Sequence, residues 1–463
     1  MVRRGGESIS WTHAPRVAIK PGVIRQRPWL LPLLFAVMVL GGWYFGFRAK
    51  KGERELPVYV TGGARMAAGE EIYRRVDRGP DLPADAKAFT YPPFAAVPFV
   101  PMAWLPEAWR APVWFEVNFV ILLGLGCWLH RWSRRPWPGA GPPRSRWFWL
   151  LLLLLGVHHV LSVLSSQSHD LLIAALVGLG AAAWCGNRSS AGFWLGIGAA
   201  IKATPLLFLL LFGLHRRWVA LCLLLVAAVG LSLLPDWLFP RRDGMWWLQA
   251  WYERTLGQFS PGGTAEAEGL WSSYSYLNQN LAGTLNRLLT RATNPNGNFV
   301  DASVSCADLS PGTLLQIARG AQLVVLGLIT WAVVRSRRAV RSAGAAAVDL
   351  HRTLALGEVA AVACGMLLLS PQSSKAHFCV WVFPAAYLAD RLLRGRRDWL
   401  LWGLVGGALL LSCGGGKDLV GTTLGNKLLA YGIVTWCTVL LLLATCRSLA
   451  TAAPARAAPP SSA

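Results

Sequence analysis

Phe89-Thr90-Tyr91-Pro92-Pro93-Phe94 lies in a segment, residues 48–108, that separates two strongly apolar runs of the chain. The double proline removes two backbone donors and favours extended geometry at Tyr91. The stretch therefore predicts a rigid, non-helical corner rather than part of a membrane span. Most of the remaining chain has the pattern of membrane helices that present this segment, and a few matching loops, to one side of a bilayer.

The composition indicates an integral membrane protein. Of 463 residues, 54% are hydrophobic and only 15% are charged, and the mean hydropathy is +0.41. A soluble interior could not bury this many apolar runs, so we expect an all-α polytopic membrane protein. The net charge of +22 would suit a nucleic-acid partner in a soluble chain. Here the basic residues cluster between apolar runs, which indicates contact with anionic membrane lipids and argues against nucleic acid.

The cysteines do not form a recognisable framework. There are nine, an odd number, and most lie inside apolar runs, where a thiol packs as a small hydrophobe. No CxxC pair or His/Cys cluster has the spacing of a zinc site. We therefore expect no disulfide scaffold and no zinc site, and the chain also lacks a glycine-rich phosphate loop for a nucleotide cofactor.

Ten apolar runs are predicted to cross the membrane. They are residues 29–47, 109–130, 147–164, 170–185, 218–234, 313–334, 354–369, 378–390, 399–412 and 428–445. The run 170–185 is short for a hydrocarbon core of about 30 Å, which needs roughly 20 residues. Residues 1–28 are predicted to be a basic cytoplasmic arm, residues 29–446 the membrane domain, and residues 447–463 a disordered cytoplasmic tail.

Residues 191–214 pose a problem of parity. Arg188 precedes this apolar segment and Arg216 follows it, so both ends favour the cytoplasm. Lys202 and Pro205 interrupt its middle. A helix broken there could form a re-entrant hairpin, which is tolerated when it is buried among other helices. We favour the hairpin over a plain crossing.

The hairpin makes the charges consistent with one orientation. The segments between runs that it assigns to the cytoplasm, together with both termini, hold 25 Lys and Arg against two acidic residues. The two long loops on the other side, residues 48–108 and 236–312, hold 14 basic and 15 acidic residues. This positive-inside bias predicts ten spans with both termini in the cytoplasm.

The predicted outer side collects polar residues from four separate segments. These are Glu53, Glu55, Tyr59 and Tyr91 in the first loop, residues 165–170, residues 274–280, and residues 370–377. Carboxylates, amides, a lysine and histidines at a membrane surface could accept a proton from a sugar hydroxyl and hold a lipid phosphate. The aromatic side chains could stack on sugar rings.

These segments resemble glycosyltransferase family 87, membrane enzymes of the glycosyltransferase C superfamily. The resemblance rests on the following elements, in order: Glu55-Leu-Pro-Val-Tyr59, Gly69-Glu-Glu-Ile-Tyr73, the Phe89–Pro93 corner, Gln167 before a span, Gly192 to Pro205, Asn278-Gln-Asn-Leu-Ala-Gly-Thr-Leu, and Leu369-Ser370-Pro371 to His377. It covers roughly residues 50–390. It implies a bundle of about 10 to 12 transmembrane helices with outer catalytic loops.

The resemblance also implies an activity. The family transfers a hexose, typically mannose, from a polyprenyl-phosphate sugar to a lipid or glycan acceptor outside the cytoplasmic membrane, with inversion of the anomeric centre. The expected partners are this donor, the acceptor and membrane lipids. No cofactor is expected, and a divalent metal is compatible with the reaction but not required.

Roles for individual residues follow from the resemblance. Glu55 stands where the family usually has Asp, the proposed catalytic base, and Glu53 and Asp77 are fallback bases, followed by Asp170 or Asp236. We expect the donor phosphate to be bound by Lys202, Lys375 and His377. The expected substrate-binding residues are Tyr59, Tyr91, Gln167, His169, Asp170, Asn278 and Asn280.

Two further departures concern the segment before the fourth span. Ser166 stands where the family usually has Gly, and His169 stands where it usually has Asn. These changes affect the expected contacts of the donor. Each residue also has a structural reading: Lys202 could pair with Glu116 or Glu358 inside the membrane, and His158 and His159 could simply pack.

A transporter or flippase of a lipid-linked sugar is the alternative function. It would need polar residues along a path through the membrane, and beyond Lys202, Glu116, Glu358 and Arg319 few are available. The polar residues concentrate on the outer side instead, which favours a transferase.

Overall fold

The computed structural model describes residues 55–73, 89–135, 145–258, 275–291, 304–395 and 397–452, together with part of a helix between residues 33 and 44. The described residues are helical, and no strand occurs among them. This agrees with the expected all-α class. The predicted arm, residues 1–28, lies outside the described residues, as do most of the first predicted span and of the tail.

The helices are, in chain order, α1 (Leu56–Ala67), α2 (Glu107–Ser133), α3 (Ser145–Ser166), α4 (Asp170–Cys185), α5 (Ser190–Ile201), α6 (Phe208–His215), α7 (Trp218–Leu238), α8 (Trp247–Arg254), α9 (Leu281–Leu289), α10 (Pro311–Arg341), α11 (Ala347–Leu369), α12 (Val382–Arg394), α13 (Trp399–Gly414), α14 (Thr422–Ala430) and α15 (Ile433–Ala450). Short 3-10 segments and one-turn helices join several of them. Among the described residues, six helices are long and apolar enough to cross a membrane, namely α2, α3, α7, α10, α11 and α15.

Most predicted spans correspond to a helix, with two corrections. The run 428–445 is not one helix, because α14 ends at Ala430 and α15 begins at Ile433 after Gly432, whose φ is +80°. A Cβ atom at Gly432 would lie 2.3 Å from the methyl group of Thr284, so only glycine fits there. The run 378–390 begins in a 3-10 helix, Lys375–Trp381, before α12.

The ends of the membrane domain differ from the prediction. The last helix, α15, continues to Ala450 and so occupies the first residues of the predicted tail. The count of ten spans is not confirmed, because the helices of two predicted spans, α4 and α13, are apolar but shorter than a full crossing.

The first loop is more helical than the proline corner predicts. Glu55 precedes α1, an amphipathic helix in the loop. At the corner, Pro92 is extended, with φ −51° and ψ 153°. Pro93, however, begins a 3-10 helix that runs to Phe99. A proline suits the first position of a helix, because its missing N–H would have no partner there in any case.

Residues 190–215 fold back on themselves, as the hairpin interpretation expects. Helix α5 runs parallel to α7, since Gly192 packs against the backbone of Ala220 and Gly196 against that of Leu224. After the break at Lys202, α6 returns to the start of α7. The two ends therefore meet, and Arg217 donates from Nη2 to the carbonyl of Asn187 at 2.8 Å. Helix α5, the first half of this hairpin, is about 18 Å long.

The neighbouring helix α4 runs antiparallel to α5. Gly180 packs against Leu195, and Gly198 lies next to Leu176. This register brings the start of α4 level with the end of α5. Asp170 and Lys202 are therefore placed at the same end of the bundle although they are far apart in sequence.

Helix α11 lies at the centre of the bundle. All of its residues from Thr353 to Leu368 are buried. It contacts α10, α12 and α15. A helix that is apolar on all sides is expected to be enclosed by other helices. Its partners surround it here, and its end leads into residues 370–374.

Glu358, in α11, does not pair with Lys202. Its carboxylate contacts His215 Nε2 at 3.0 Å and accepts hydrogen bonds from Ser336 at 2.8 Å and Trp184 at 3.0 Å. Lys202 has Asp170 as its partner instead. The expectation that Glu116 or Glu358 neutralises Lys202 is therefore wrong. Glu358 joins four helices at the opposite end of the bundle from Asp170.

Candidate functional site

Glu55 is fixed at the start of α1. Its backbone N–H donates to the carbonyl of Ser166 at 2.8 Å, which ties the first loop to the end of α3. One helical turn later, the Tyr59 hydroxyl donates to the Glu55 carboxylate. Burial, with the Glu55 charge second, raises the pKa of Tyr59 well above its ordinary value, so this hydroxyl stays protonated and remains a donor.

Tyr59, Tyr91 and His169 form an aromatic group beside this carboxylate. The His169 ring meets Tyr59 edge to face at 4.7 Å and Tyr91 at 4.4 Å between ring centroids. Tyr59 also packs on Phe99. Because Tyr59 is almost fully buried among protein rings, its hydroxyl rather than its ring face is what it offers to the site. Tyr91 is only partly buried.

The segment between α3 and α4 makes a sharp turn at Gln167. This residue is buried and has φ +56°, a left-handed conformation that non-glycine residues seldom adopt. The turn places Ser168, His169 and Asp170 in succession at the start of α4. The Ser168 hydroxyl donates to the Asp170 carboxylate. Backbone strain of this kind is often retained at functional sites.

Asp170 and Lys202 form a buried ion pair. Lys202 Nζ lies 2.6 Å from Asp170 Oδ1, and both side chains are largely shielded from solvent. Lys202 can reach because the chain leaves α5 in an extended conformation, with φ −148° and ψ 116°. His377 Nε2 lies 3.8 Å from the other oxygen of Asp170.

These three side chains line a pocket, which we call the Asp170 pocket. Its other walls are mostly apolar and come from α4, the turn between α5 and α6, α11 and the segment before α12: Ile173, Thr204, Met366, Leu367, Ser370, Ser373 and Val380. One polar side facing apolar walls suits a ligand with a charged group and a hydrocarbon portion.

The Asp170 pocket adjoins the Glu55–Tyr59 pair. Lys202 Nζ lies 5.8 Å from the centroid of the Tyr91 ring, and that ring lies 5.7 Å from the ring of Tyr59. The charge of Glu55 also acts on His169 and His377. A carboxylate and a lysine from different segments therefore face one region.

His377 is a neutral hydrogen-bond donor in this environment. Burial lowers the pKa of His377 to about 4, although Asp170 opposes that effect. The backbone N–H of Ser374 donates to its Nδ1 at 3.2 Å. The remaining proton is therefore on Nε2, the atom that faces Asp170. His377 can donate a hydrogen bond to a phosphate, but it adds no positive charge at neutral pH because of its low pKa.

His169 is buried without a hydrogen-bond partner on either ring nitrogen among the described residues. Burial lowers its pKa to about 4, so the ring is neutral and carries one donor and one acceptor. Leaving both unsatisfied costs about 1–3 kcal/mol each. This makes His169 a candidate to bind hydroxyl groups of a substrate.

Lys375 lies apart from these groups. Its backbone carbonyl contacts His159 Nδ1 at 2.8 Å, and its charge acts on His158 and His159 in α3. The residues that line the Asp170 pocket do not include Lys375. Its predicted contact with the donor phosphate stays a prediction.

Asn278 and Asn280 are turned toward the segment before α12. Asn280 Nδ2 donates to the carbonyls of Ser370 and Pro371 at 2.7 and 2.6 Å. Asn278 donates to Pro371 at 3.2 Å and accepts from the backbone of Ser373 at 3.1 Å. Their amides hold one wall of the Asp170 pocket, so the structure favours a supporting role over the substrate contact we expected.

The alternative carboxylates are less suited than Glu55 to act as the general base. Asp236 accepts from the backbone N–H of Trp247 at 2.7 Å and so caps α8. Asp170 is occupied by Lys202 and Ser168. Glu53 and Asp77 lie outside the described residues.

No three His, Cys, Asp or Glu side chains in the described parts of the chain come together as potential metal ligands. Within the Asp170 pocket, Asp170 is the carboxylate that could contribute to such a site, and Lys202 already contacts it.

Sequence reasoning missed the Asp170–Lys202 pair although it singled out both residues. A signal was present. The runs containing α4 and α5 are joined by a short loop, so their far ends must lie close together, and those ends carry Asp170 and Lys202. Ser168, which contacts Asp170, was not singled out by itself.

Comparison with known proteins gives one match. The sequence model of glycosyltransferase family 87 matches residues 89–371, more than half of the chain. The matched region includes Tyr91, Asp170 and Lys202, but Glu55 and His377 lie outside it. No curated protein and no solved structure matched the chain.

Proposed function

Because this chain belongs to glycosyltransferase family 87, and is therefore a membrane glycosyltransferase, we propose a specific reaction for it. It transfers a hexose such as mannose from a polyprenyl-phosphate sugar to a lipid or glycan acceptor. The reaction takes place at the outer face of the cytoplasmic membrane and inverts the anomeric centre.

The observation that carries this proposal is the Asp170 pocket beside Glu55. The pocket joins a lysine held by a buried carboxylate, a neutral N–H donor and apolar walls. A polyprenyl-phosphate sugar has matching parts, since its phosphate is anionic and its chain is hydrocarbon. When the phosphate of the donor is bound in the pocket, its sugar lies beside the aromatic group of Tyr59, Tyr91 and His169, between the phosphate and Glu55.

Glu55 acts as the general base in this account. It takes the proton of the acceptor hydroxyl as the oxygen attacks the anomeric carbon on the face opposite the phosphate. The new glycosidic bond forms as the bond from carbon to phosphate oxygen breaks, and that electron pair leaves with the polyprenyl phosphate. Tyr59 orients the carboxylate by its hydrogen bond.

Lys202 and His377 stabilise the leaving phosphate. Lys202 supplies the positive charge, and Asp170 fixes its ammonium group in place. His377 donates from Nε2. Because these donors are held by buried neighbours, they do not have to reorganise when charge develops on the phosphate.

His169 determines part of the sugar specificity in this proposal. Its neutral ring offers one donor and one acceptor, which is the pattern that neighbouring sugar hydroxyls satisfy. The family's usual Asn offers the same two functions on an amide, so the change to His169 alters reach rather than chemistry.

Purified protein in liposomes tests the reaction. The vesicles contain polyprenyl-phosphate hexose with a labelled sugar. They also contain total lipid extracted from cells that produce this protein, as the source of the acceptor. We expect the label to move to a second lipid or glycan, with release of polyprenyl phosphate. Label that only changes leaflet, with the donor intact, would support the flippase instead.

A further inference from the structure

Helix α8, which follows α7 and ends just before Thr255, has three distinct faces. Its first face packs on the protein: Trp247 and Ala250 are buried, and Trp251 is partly buried. The Trp247 indole donates to the carbonyl of Phe239 at 2.7 Å. At 100° per residue these positions occupy one side of the helix.

The second face is apolar and points away from the protein core. It contains Leu248, which is partly buried, and Tyr252, one turn apart. Tyr252 is 61% exposed. An exposed apolar face on a short helix needs a partner to be stable in water.

The third face is polar. Gln249 and Glu253 are both exposed, and Gln249 Nε2 donates to Glu253 Oε1 at 2.9 Å. These two residues lie on the side of the helix that neither packs nor presents apolar groups. Protein, apolar and polar faces therefore follow one another around a single helix.

We propose that α8 lies in the plane of the membrane interface, with its Leu248–Tyr252 face in lipid and its Gln249–Glu253 face in water. The argument for lipid as the partner is continuity. Helix α7 is long and apolar enough to cross a membrane, and it exposes Val226, Val229 and Leu233 along one stripe, which ends in Trp237 at 80% exposure. Tryptophan at the end of a span marks the interface, and α8 begins only ten residues after Trp237.

This placement couples the membrane surface to the candidate site. On its protein face, the Trp251 indole donates to the carbonyl of Thr90 at 3.0 Å. Thr90 precedes Tyr91, whose ring lies near Lys202. The depth of α8 in the membrane interface thus determines the distance of the proline corner, Phe89–Pro93, from the membrane surface.

Fluorescence quenching tests the orientation of the helix. The exposed native cysteines Cys127, Cys222, Cys306 and Cys413 are replaced by serine, and the full-length protein is reconstituted in liposomes. Single cysteines at Tyr252 or Leu248, and matched ones at Gln249 or Glu253, receive a small fluorophore. Each sample is quenched by aqueous iodide and by lipids that carry a nitroxide at known depths.

We expect opposite results from the two faces. Labels at Tyr252 and Leu248 should be quenched by the nitroxide lipids, at a depth of about 5–10 Å below the headgroups, and protected from iodide. Labels at Gln249 and Glu253 should be quenched by iodide several-fold more strongly. Iodide quenching of equal strength on both faces would overturn the proposal. So would protection of Tyr252 from both quenchers, which would indicate a protein partner or a second copy of the chain.

Discussion

Lys202 has a structural role and a proposed role in donor binding, and experiments must separate the two. It neutralises Asp170, which is buried, and it is proposed to bind the donor phosphate. Removing one member of a buried ion pair leaves the other uncompensated, at a cost of about 3–5 kcal/mol, whereas removing both can be nearly neutral. A single substitution would therefore confuse a folding effect with a binding effect.

We predict that Lys202→Met lowers the thermal stability of the purified protein and weakens donor binding. Adding Asp170→Asn should restore most of the stability, because no unpaired charge remains, but should not restore donor binding. Thermal unfolding and equilibrium binding of a labelled donor measure the two effects. Recovery of binding in the double variant would show that Lys202 serves only to neutralise Asp170.

The buried histidines predict a dependence of stability on pH. The pKa of His377 is lowered to about 4 in the folded protein from an ordinary value of 6.5. Between these values the unfolded chain binds the proton and the folded chain does not, so stability falls as the pH decreases from about 6.5 toward 4. His169 contributes in the same direction.

His377→Gln should reduce this dependence, because an amide keeps an N–H donor but does not titrate. The measurement is the unfolding temperature at pH 7 and pH 5 for the wild type and the variant. The variant should show the smaller difference. An equal difference in both proteins would mean that His377 is not buried as a neutral group.

Among the helices, the close packing of α5 on α7 explains why Lys202 reaches the site. Helix α5 packs closely on α7 through two glycines, and the chain breaks at Lys202 before α6 returns. A Cβ atom at Gly192 would lie 1.8 Å from the carbonyl oxygen of Ala220. The position of Lys202 thus depends on small residues that make no contact with substrate.

We predict that Gly192→Ala separates α5 from α7 and lowers both stability and transfer activity. The matched control is Gly230→Ala in α7, where a Cβ atom would meet no other atom within 4 Å. That change should leave stability equal or slightly raised, since alanine favours helix over glycine by about 1 kcal/mol. Thermal unfolding compares the variants. Equal unfolding temperatures would contradict the close packing of α5 on α7.

Much of the helical architecture was predictable from the sequence, because long apolar runs bounded by charged loops determine spans such as α2, α7 and α11. The break near Lys202 was predictable as well, from the flanking arginines and Pro205. What sequence reasoning could not supply was register. That Asp170 faces Lys202, and that Asn280 faces Ser370, depends on how helices pack side by side.

Local backbone geometry was the other source of error. The proline corner was expected to remain non-helical. A proline is well tolerated at the first position of a 3-10 helix, however, and Pro93 occupies that position. Likewise, Gly432 divides a run that is continuous in hydropathy. Protonation was missed for the same reason as register, since His377 is neutral only because its neighbours bury it.

For the whole molecule, charge predicts the orientation in the membrane. The positive-inside bias predicts that the turn around Asp243 lies outside and the end of α10 in the cytoplasm. We predict that a cysteine at Arg242 reacts with an impermeant thiol reagent in intact cells and that one at Ser342 reacts only after permeabilisation. Both positions are exposed, so reactivity reports sidedness. The reverse pattern would move the candidate site to the cytoplasmic face.

In the proposed reaction, the carboxylate of Glu55 takes the acceptor proton beside a phosphate held by Lys202. The most direct measurement is the single-turnover rate of hexose transfer in proteoliposomes by Glu55→Gln and Glu55→Asp, with donor binding measured on the same preparations. We predict that Glu55→Gln is slower by about 100-fold to 10,000-fold with unchanged donor binding, because the amide cannot accept a proton. Glu55→Asp should keep substantial activity. A Glu55→Gln variant that transfers hexose at the wild-type rate would contradict the account and move the base to another carboxylate.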